Sequence, residues 1–173
     1  MQIFVLDEDP KLAAIQLMVC HIVKMSLESL QLLSTAHHVL KSGLEDFKLF
    51  PSGFPTKQTH VNHPCAIWCR QSRENYLWLA EHGIEICLEY TRRYGKITLN
   101  QASLEWCKNN VPRNFPKTGR TPFAMAFSDD IINKHKGNVV EAYREFYRTK
   151  RRDPLNSRSK FETWKSNKPS WWY

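Results

Sequence analysis

The stretch DPKLAAIQLMVCHIVKMSLESLQLLSTAHHVLK, from Asp9 to about Lys41, constrains the fold more than any other part of the chain. An Asp side chain caps free backbone N–H groups and Pro is pre-set for the first helical position, so Asp9-Pro10 opens a helix. Leu12, Ile15, Val19, Ile22, Met25, Leu30 and Leu33 recur close to every 3.6 residues, which predicts one long amphipathic helix laid on a core. With 173 residues, 42% of them hydrophobic, the chain has apolar surface for one compact domain and is short for two.

The polar side of this helix carries His21, Lys24, Glu28, Gln31, His37 and His38. His21 precedes Lys24 by three residues and Glu28 follows it by four, so an imidazole, an amine and a carboxylate share one side of about two turns. That set is a candidate catalytic group. A solvated face with an i,i+4 ion pair, worth about 0.2–0.5 kcal/mol, explains the same residues.

Ile3 to Leu6 reads as a short buried extended segment that leads into the helix. The bulky Gln2 is expected to preserve Met1. The opening MQIFVLDEDP has no basic region before its four apolar residues, so no signal peptide is expected. Ser42 and Gly43 stop the helix, and residues 42–60, dense in Gly and Pro, form a loop long enough to suggest a function.

Asn62 or His63 then caps a second helix, opened by Pro64 and running to about Tyr94, with Ile67, Leu77, Ile84 and Leu88 as its buried stripe. Gly83 interrupts it, which implies either a bend or the close approach of another backbone. Its first turns carry Asn62, His63, Arg70 and Arg73 beside His60. Free N–H groups and a positive dipole make such a helix start a phosphate site that the arginines reinforce. Zinc at His60, His63, Cys65 and Cys69 is not expected, because no C-x-x-C pair is present.

Further on, TLNQASLEWCKNN is a short helix ended by Pro112, and VPRNFPKTGRTPFAM is a second Pro-rich basic loop. Phe123 to Phe127 forms an apolar patch, Ser128 and Asp129 start another turn, and Asn138 caps a helix over VVEAYREFYRTKRR. The expectation is an all-α single domain of about four to five helices around the long first one.

A formal net charge of +8 and a pI near 9.3 point to a polyanionic partner, and no apolar run approaches a membrane span. Nucleic acid fits best, because cations and aromatics alternate in the tail, residues 153–173: Lys160, Trp164, Lys165, Lys168, Trp171, Trp172 and Tyr173. Cations neutralise phosphates and flat rings stack on bases. Docking of Trp164 and Trp171 on the core is the competing account. Five cysteines without scaffold spacing read as reduced thiols of a cytoplasmic protein.

The segments MQIFVLDEDP, HIVKMSLESLQLLSTA, THVNHPCAIWCRQSRENYLWL, EYTRRYGK, TPFAMA, EAYREFY and PSWWY, spread over nearly the whole chain, resemble the phage pyrimidine-dimer DNA glycosylase family. The resemblance implies an all-α domain that bends double-stranded DNA, flips a nucleotide and attacks the sugar C1′ with an amine. A carboxylate on the first helix stabilises the developing charge, and the resulting Schiff base permits β-elimination. The family's amine belongs to an N-terminal Thr, whereas this chain opens Met1-Gln2, and the family's Glu falls at Val23.

Three functions follow as expectations. In a DNA glycosylase, with or without lyase activity, Lys24 is nucleophile or electrostatic partner, Glu28 and His21 are acid-base groups, and Asn62, His63 and Arg70 hold the phosphate or the flipped base. A transferase would modify a hydroxymethyl-pyrimidine in phage DNA with a small-molecule co-substrate, for example an amino acid or amine. A non-catalytic DNA-binding protein is the third. No metal or other cofactor is expected, and the chain is expected to act as a monomer.

Overall fold

The computed structural model describes residues 1–43, 58–150, 164 and 168–173. Most of the first loop and of the basic tail, Lys160 and Lys165 included, thus lies outside the described residues. Ile3 to Leu6 is buried, as its composition suggests, but it is not extended throughout: Phe4 has left-handed backbone (φ 39°) and the Leu6 N–H turns back to the Phe4 carbonyl at 2.8 Å. The chain then enters α1 (Pro10–Ile15), where the Asp9 carboxylate accepts from the N–H groups of Lys11 and Leu12, both at 2.9 Å.

The expected long helix is broken twice, into α1, α2 (Val19–Ile22) and α3 (Met25–Val39). Neither break contains Gly or Pro. The first is held open by groups far away in sequence. Arg93 donates from Nη1 to the Leu17 carbonyl at 2.8 Å and from Nη2 to the Ile15 carbonyl at 3.0 Å. The Trp164 indole donates to the Gln16 carbonyl at 2.7 Å, and the Met18 N–H donates to the Tyr147 hydroxyl at 2.8 Å. Each backbone group that the break frees would otherwise be a buried loss of about 1–3 kcal/mol. At the second break Lys24 leaves the helical path (φ −115°), and its N–H reaches the His21 carbonyl at 3.1 Å. The breaks rotate the apolar stripe: Leu12 is exposed and Ile15 and Val19 are half-buried, whereas Ile22, Met25, Leu30 and Leu33 are in the core.

The second expected helix is also two, α4 (Pro64–Cys69) and α5 (Arg73–Tyr94). His63 is the cap of α4, its Nδ1 accepting from the Cys65 N–H at 3.2 Å, and Ser72 restarts the helix by accepting from the Asn75 N–H at 3.2 Å. This second cap splits the stripe. Ile67 and Leu88 are exposed, Leu77 is half-buried, and Ile84 is in the core. Helix α5 is continuous through Gly83, where a Cβ would lie 2.8 Å from Leu104 Cδ2 and 3.1 Å from Ser29 Cβ. The close approach of side chains, neither a bend nor another backbone, accounts for the glycine.

Helices α1 to α4 and α6 (Asn100–Asn109) all pack on α5, while α7 (Asp129–Lys134) pairs with α8 (Val139–Thr149). Asn138 caps α8 as expected, accepting from the Glu141 N–H at 3.1 Å. The described residues thus contain eight helices and no strand, and the expected four to five became eight because both long helices are broken and α7 is a true helix. One hydrophobic cluster joins residues from Ile3 to Trp172. No helix among the described residues is long and apolar enough to cross a membrane.

Arg93 has a fully buried side chain, paired with Glu89, which also binds Arg92. Removing one member of such a pair strands the other, at about 3–5 kcal/mol. Arg93→Ala is expected to lower stability by about 3 kcal/mol, with Arg92 retaining part of the Glu89 charge compensation, measured as a shift in the urea midpoint. His82 supplies a second test. It is completely buried against Trp78, neither ring nitrogen has a hydrogen-bond partner among the described residues, and burial pushes its pKa down to about 3. The unfolded chain therefore takes up a proton that the folded one refuses, so stability is complete above about pH 6.5 and declines as pH falls towards 3. His82→Phe, which keeps the ring against Trp78, is expected to flatten that decline in pH-dependent thermal melts.

Candidate functional site

Glu28 lies in the first turn of α3, with its side chain 19% exposed, and both carboxylate oxygens are engaged. Lys24 Nζ is 3.1 Å from Oε1, and the backbone N–H of Gln2 donates to Oε2 at 3.1 Å. Helix α3 and the opening of the chain therefore meet at one carboxylate. Gln2 is fixed at its other end, Nε2 donating to the Ala126 carbonyl at 2.7 Å. That bond sets the amide's orientation and leaves Oε1 as a buried acceptor with no partner among the described residues. Buried acceptors of this kind are uncommon and mark places where a water or ligand donor belongs.

The segment 58–63 lies near enough for Glu28 to act on His63. Thr35 on α3 holds it, donating from Oγ1 to the Thr59 carbonyl at 2.8 Å and accepting from the Thr59 N–H at 3.0 Å. Arg70 holds it from α4, Nη1 donating to the Val61 carbonyl at 2.7 Å. These bonds set His63 within the electrostatic reach of Glu28, of His60 and of the Met1 amino group. Burial pushes the His63 pKa down, as do the positive charges of the N-terminus and His60, while Glu28 acts in the other direction. His63 is thereby favoured as a neutral imidazole, with Nδ1 the acceptor of the capping bond.

Among the described residues, two of the three non-glycine positions with positive φ flank this cluster, Phe4 (φ 39°) and His60 (φ 49°). Left-handed backbone at such residues costs about 1–2 kcal/mol each and concentrates at functional sites. Lys150 at the end of α8 adds a cation. Its Nζ sits 4.1 Å from the centre of the Phe146 ring, and burial, followed by the charge of Lys24, pushes its pKa down.

The other expected site residues divide. His21 is in the core: its ring packs on Phe4, and its Nδ1 is 2.7 Å from the Tyr147 hydroxyl. The helix break at Val23 and Lys24 separates it from the face that Glu28 and Lys24 share. Arg70 is turned inward to hold Val61, and burial lowers its pKa, so its structural task precedes any phosphate contact. Asn62 is exposed just before the α4 cap. Arg73 is exposed and lines a separate cavity with Lys108, Arg113 and Lys117.

Trp164 and Trp172 are each 5% exposed, packed on one another with ring centres 5.1 Å apart. Their faces are occupied by the core and not presented for base stacking, because indoles bury a large apolar area once their N–H is paired. Trp171 is half-buried, its Nε1 donating to Gln16 Oε1 at 2.6 Å, with the Arg144 and Arg148 guanidiniums 5.3 and 5.8 Å from its ring centre. Lys168 is exposed beside Trp171 and Arg144. Lys165 lies outside the described residues.

The thiols of Cys65 and Cys107 are pushed up to about 11 and about 12 by burial, and that of Cys69 higher still. Thiols held so strongly in the protonated form are poor nucleophiles. Among the described residues no three His, Cys, Asp or Glu side chains are gathered to hold a metal ion.

Comparison with protein-family models, with curated proteins and with solved structures finds no match. Gln2 and Lys150 are the members of the cluster that sequence spacing misses, since each is more than twenty residues from Glu28 and belongs to no common periodicity. Thr35→Val removes both bonds to Thr59 with little change in volume. The Thr59 amide is expected to exchange hydrogen about tenfold faster in this variant, the equivalent of one lost hydrogen bond, and amide exchange followed by NMR measures it.

Proposed function

We propose that this chain is a DNA-acting enzyme that flips a pyrimidine nucleotide from the duplex and cleaves its N-glycosidic bond, a DNA N-glycosylase for damaged or modified pyrimidines. The observation that carries the reading is the Glu28 carboxylate, gripped by the Gln2 N–H and paired with the Lys24 amine at 3.1 Å each. An amine and a carboxylate in contact are the two groups that displacement at a sugar C1′ requires. The resemblance to pyrimidine-dimer glycosylases and the basic charge of the chain point the same way.

In this reading Lys24 passes a proton to Glu28 and the neutral amine forms a bond to C1′. The bond from C1′ to the base nitrogen breaks, its electron pair leaves with the base, and the base takes up a proton. One of the two protons then on the amine passes to O4′ as the sugar ring opens, giving a protonated Schiff base, which either loses a C2′ proton and eliminates the 3′-phosphate or is hydrolysed. Glu28 takes the role that the family assigns to a residue at Val23, which here is 58% exposed at the break between α2 and α3. Neutral His63, its Nδ1 committed to the α4 cap, offers Nε2–H as a hydrogen-bond donor in the same cluster. Reaching C1′ requires that the nucleotide leave the stack.

A transferase is the second reading, and the Lys24–Glu28 ion pair itself favours it. A carboxylate stabilises the protonated amine, and an ammonium suits the expulsion of phosphate or pyrophosphate from an activated hydroxymethyl-pyrimidine better than attack on carbon. Intact-mass analysis of duplex oligonucleotides carrying a thymine dimer, hydroxymethyluracil or its pyrophosphorylated form separates the two. The glycosylase reading expects base loss and a borohydride-trapped adduct at Lys24. Lys24→Ala should abolish trapping, and Glu28→Gln should slow base loss by about 10²–10⁴-fold. A mass gain that requires an added amine or amino acid would establish the transferase, and no mass change on any substrate would leave a DNA-binding protein.

A further inference from the structure

A cavity of about 650 Å³ opens between the start of α5, the end of α6 and the loop that follows it, and it shares no residue with the Glu28 cluster. Four cations line it: Arg73, Lys108, Arg113 and Lys117. Lys108 is paired with Glu81. Arg73, Arg113 and Lys117 have no acidic partner among the described residues, and Glu74 is the one carboxylate in the lining. Gathering like charges around one hollow is unfavourable unless an anion completes it.

The loop is held as a rigid wall. Lys117 donates its N–H to the Gln71 carbonyl at 2.9 Å, and Thr121 donates its N–H to Asn75 Oδ1 at 3.0 Å and its hydroxyl to Gln71 Oε1 at 3.0 Å. Asn75, completely buried, donates from Nδ2 to Thr121 Oγ1 at 2.7 Å and to the Trp68 carbonyl at 2.8 Å. A long loop without secondary structure is fastened in this way when its position matters. On the same side, the first turn of α5 presents the N–H groups of Arg73 and Glu74, which have no helical acceptor. Val111, Pro112 and the half-buried Phe115, whose ring stands edge-on to Tyr76 with centres 5.9 Å apart, supply an apolar floor.

From this cavity we infer a second binding site, for a phosphorylated organic anion of nucleotide size. Its cations are placed for phosphate oxygens, and its floor and volume exceed what inorganic phosphate needs. The ligand chemistry is a phosphate ester beside a flat ring, supplied either by a free nucleotide or by one residue of a nucleic-acid strand. The inference does not depend on the reaction proposed for Glu28.

Isothermal titration of the full-length chain with thymidine 5′-diphosphate, with pyrophosphate and with a five-residue single-stranded oligodeoxynucleotide tests it at two salt concentrations. Thymidine diphosphate or the oligonucleotide is expected to bind more tightly than pyrophosphate, and added salt to weaken both. Arg113→Ala/Lys117→Ala should weaken the interaction at least tenfold at unchanged thermal midpoint. Preference for the diphosphate assigns the site to a free co-substrate, and preference for the oligonucleotide assigns it to a strand. Equal binding by the double variant, or pyrophosphate binding as tightly as the other two probes, would overturn the inference.

Discussion

The Arg93 guanidinium is the contact on which the arrangement of this chain depends. It reaches from the last turn of α5 to the carbonyls of Ile15 and Leu17, while Glu89 neutralises its charge inside the protein. Without an internal donor those carbonyls would have to stay in a continuous helix or face water. With it the chain can turn between α1 and α2, and α1, α2 and α3 can each lie on α5 at its own angle. A buried ion pair is a weak source of net stability. Its contribution here is to specify one path for the backbone over the alternative of a straight helix.

The tail and α8 complete the same junction. Trp164 supplies the donor for the Gln16 carbonyl, Tyr147 the acceptor for the Met18 N–H, and Trp171 binds the Gln16 side chain. Aromatic residues at the far end of the chain are thereby committed to the first break, and their burial links the C-terminal residues to the fold. Tyr147 also engages His21, which moves that imidazole from the polar face of a helix into the core. Helix breaking and loss of His21 from the expected triad have one cause.

What remains of the expected catalytic group is more closely built than helix spacing implied. Lys24 and Glu28 keep their i,i+4 contact because both lie after the second break, Glu28 N–H still reaching the Lys24 carbonyl at 3.3 Å. The turn before α3 brings the N-terminal segment alongside, so that Gln2 binds the second carboxylate oxygen. A surface ion pair contributes little by itself. A carboxylate fixed at both oxygens, beside a neutral imidazole and two residues with left-handed backbone, is a position at which the fold has accepted cost.

Read alone, the sequence determined the helical class, several boundaries and the Lys24–Glu28 pair, because these rest on interactions within a few residues. Asp9, His63 and Asn138 cap helices that their local chemistry announces, and Gly83 signals a close approach that proves to come from Ser29 and Leu104. The breaks at Leu17 and Lys24, the burial of Trp164 and Trp172, the inward turn of Arg70 and the arrival of Gln2 at Glu28 were decided only by tertiary structure. Each depends on a partner well beyond one helical turn in sequence or on the path the packed chain takes. Hydrophobic periodicity reports that a residue favours burial, but it carries no information about which distant donor or acceptor will make burial possible at a given position.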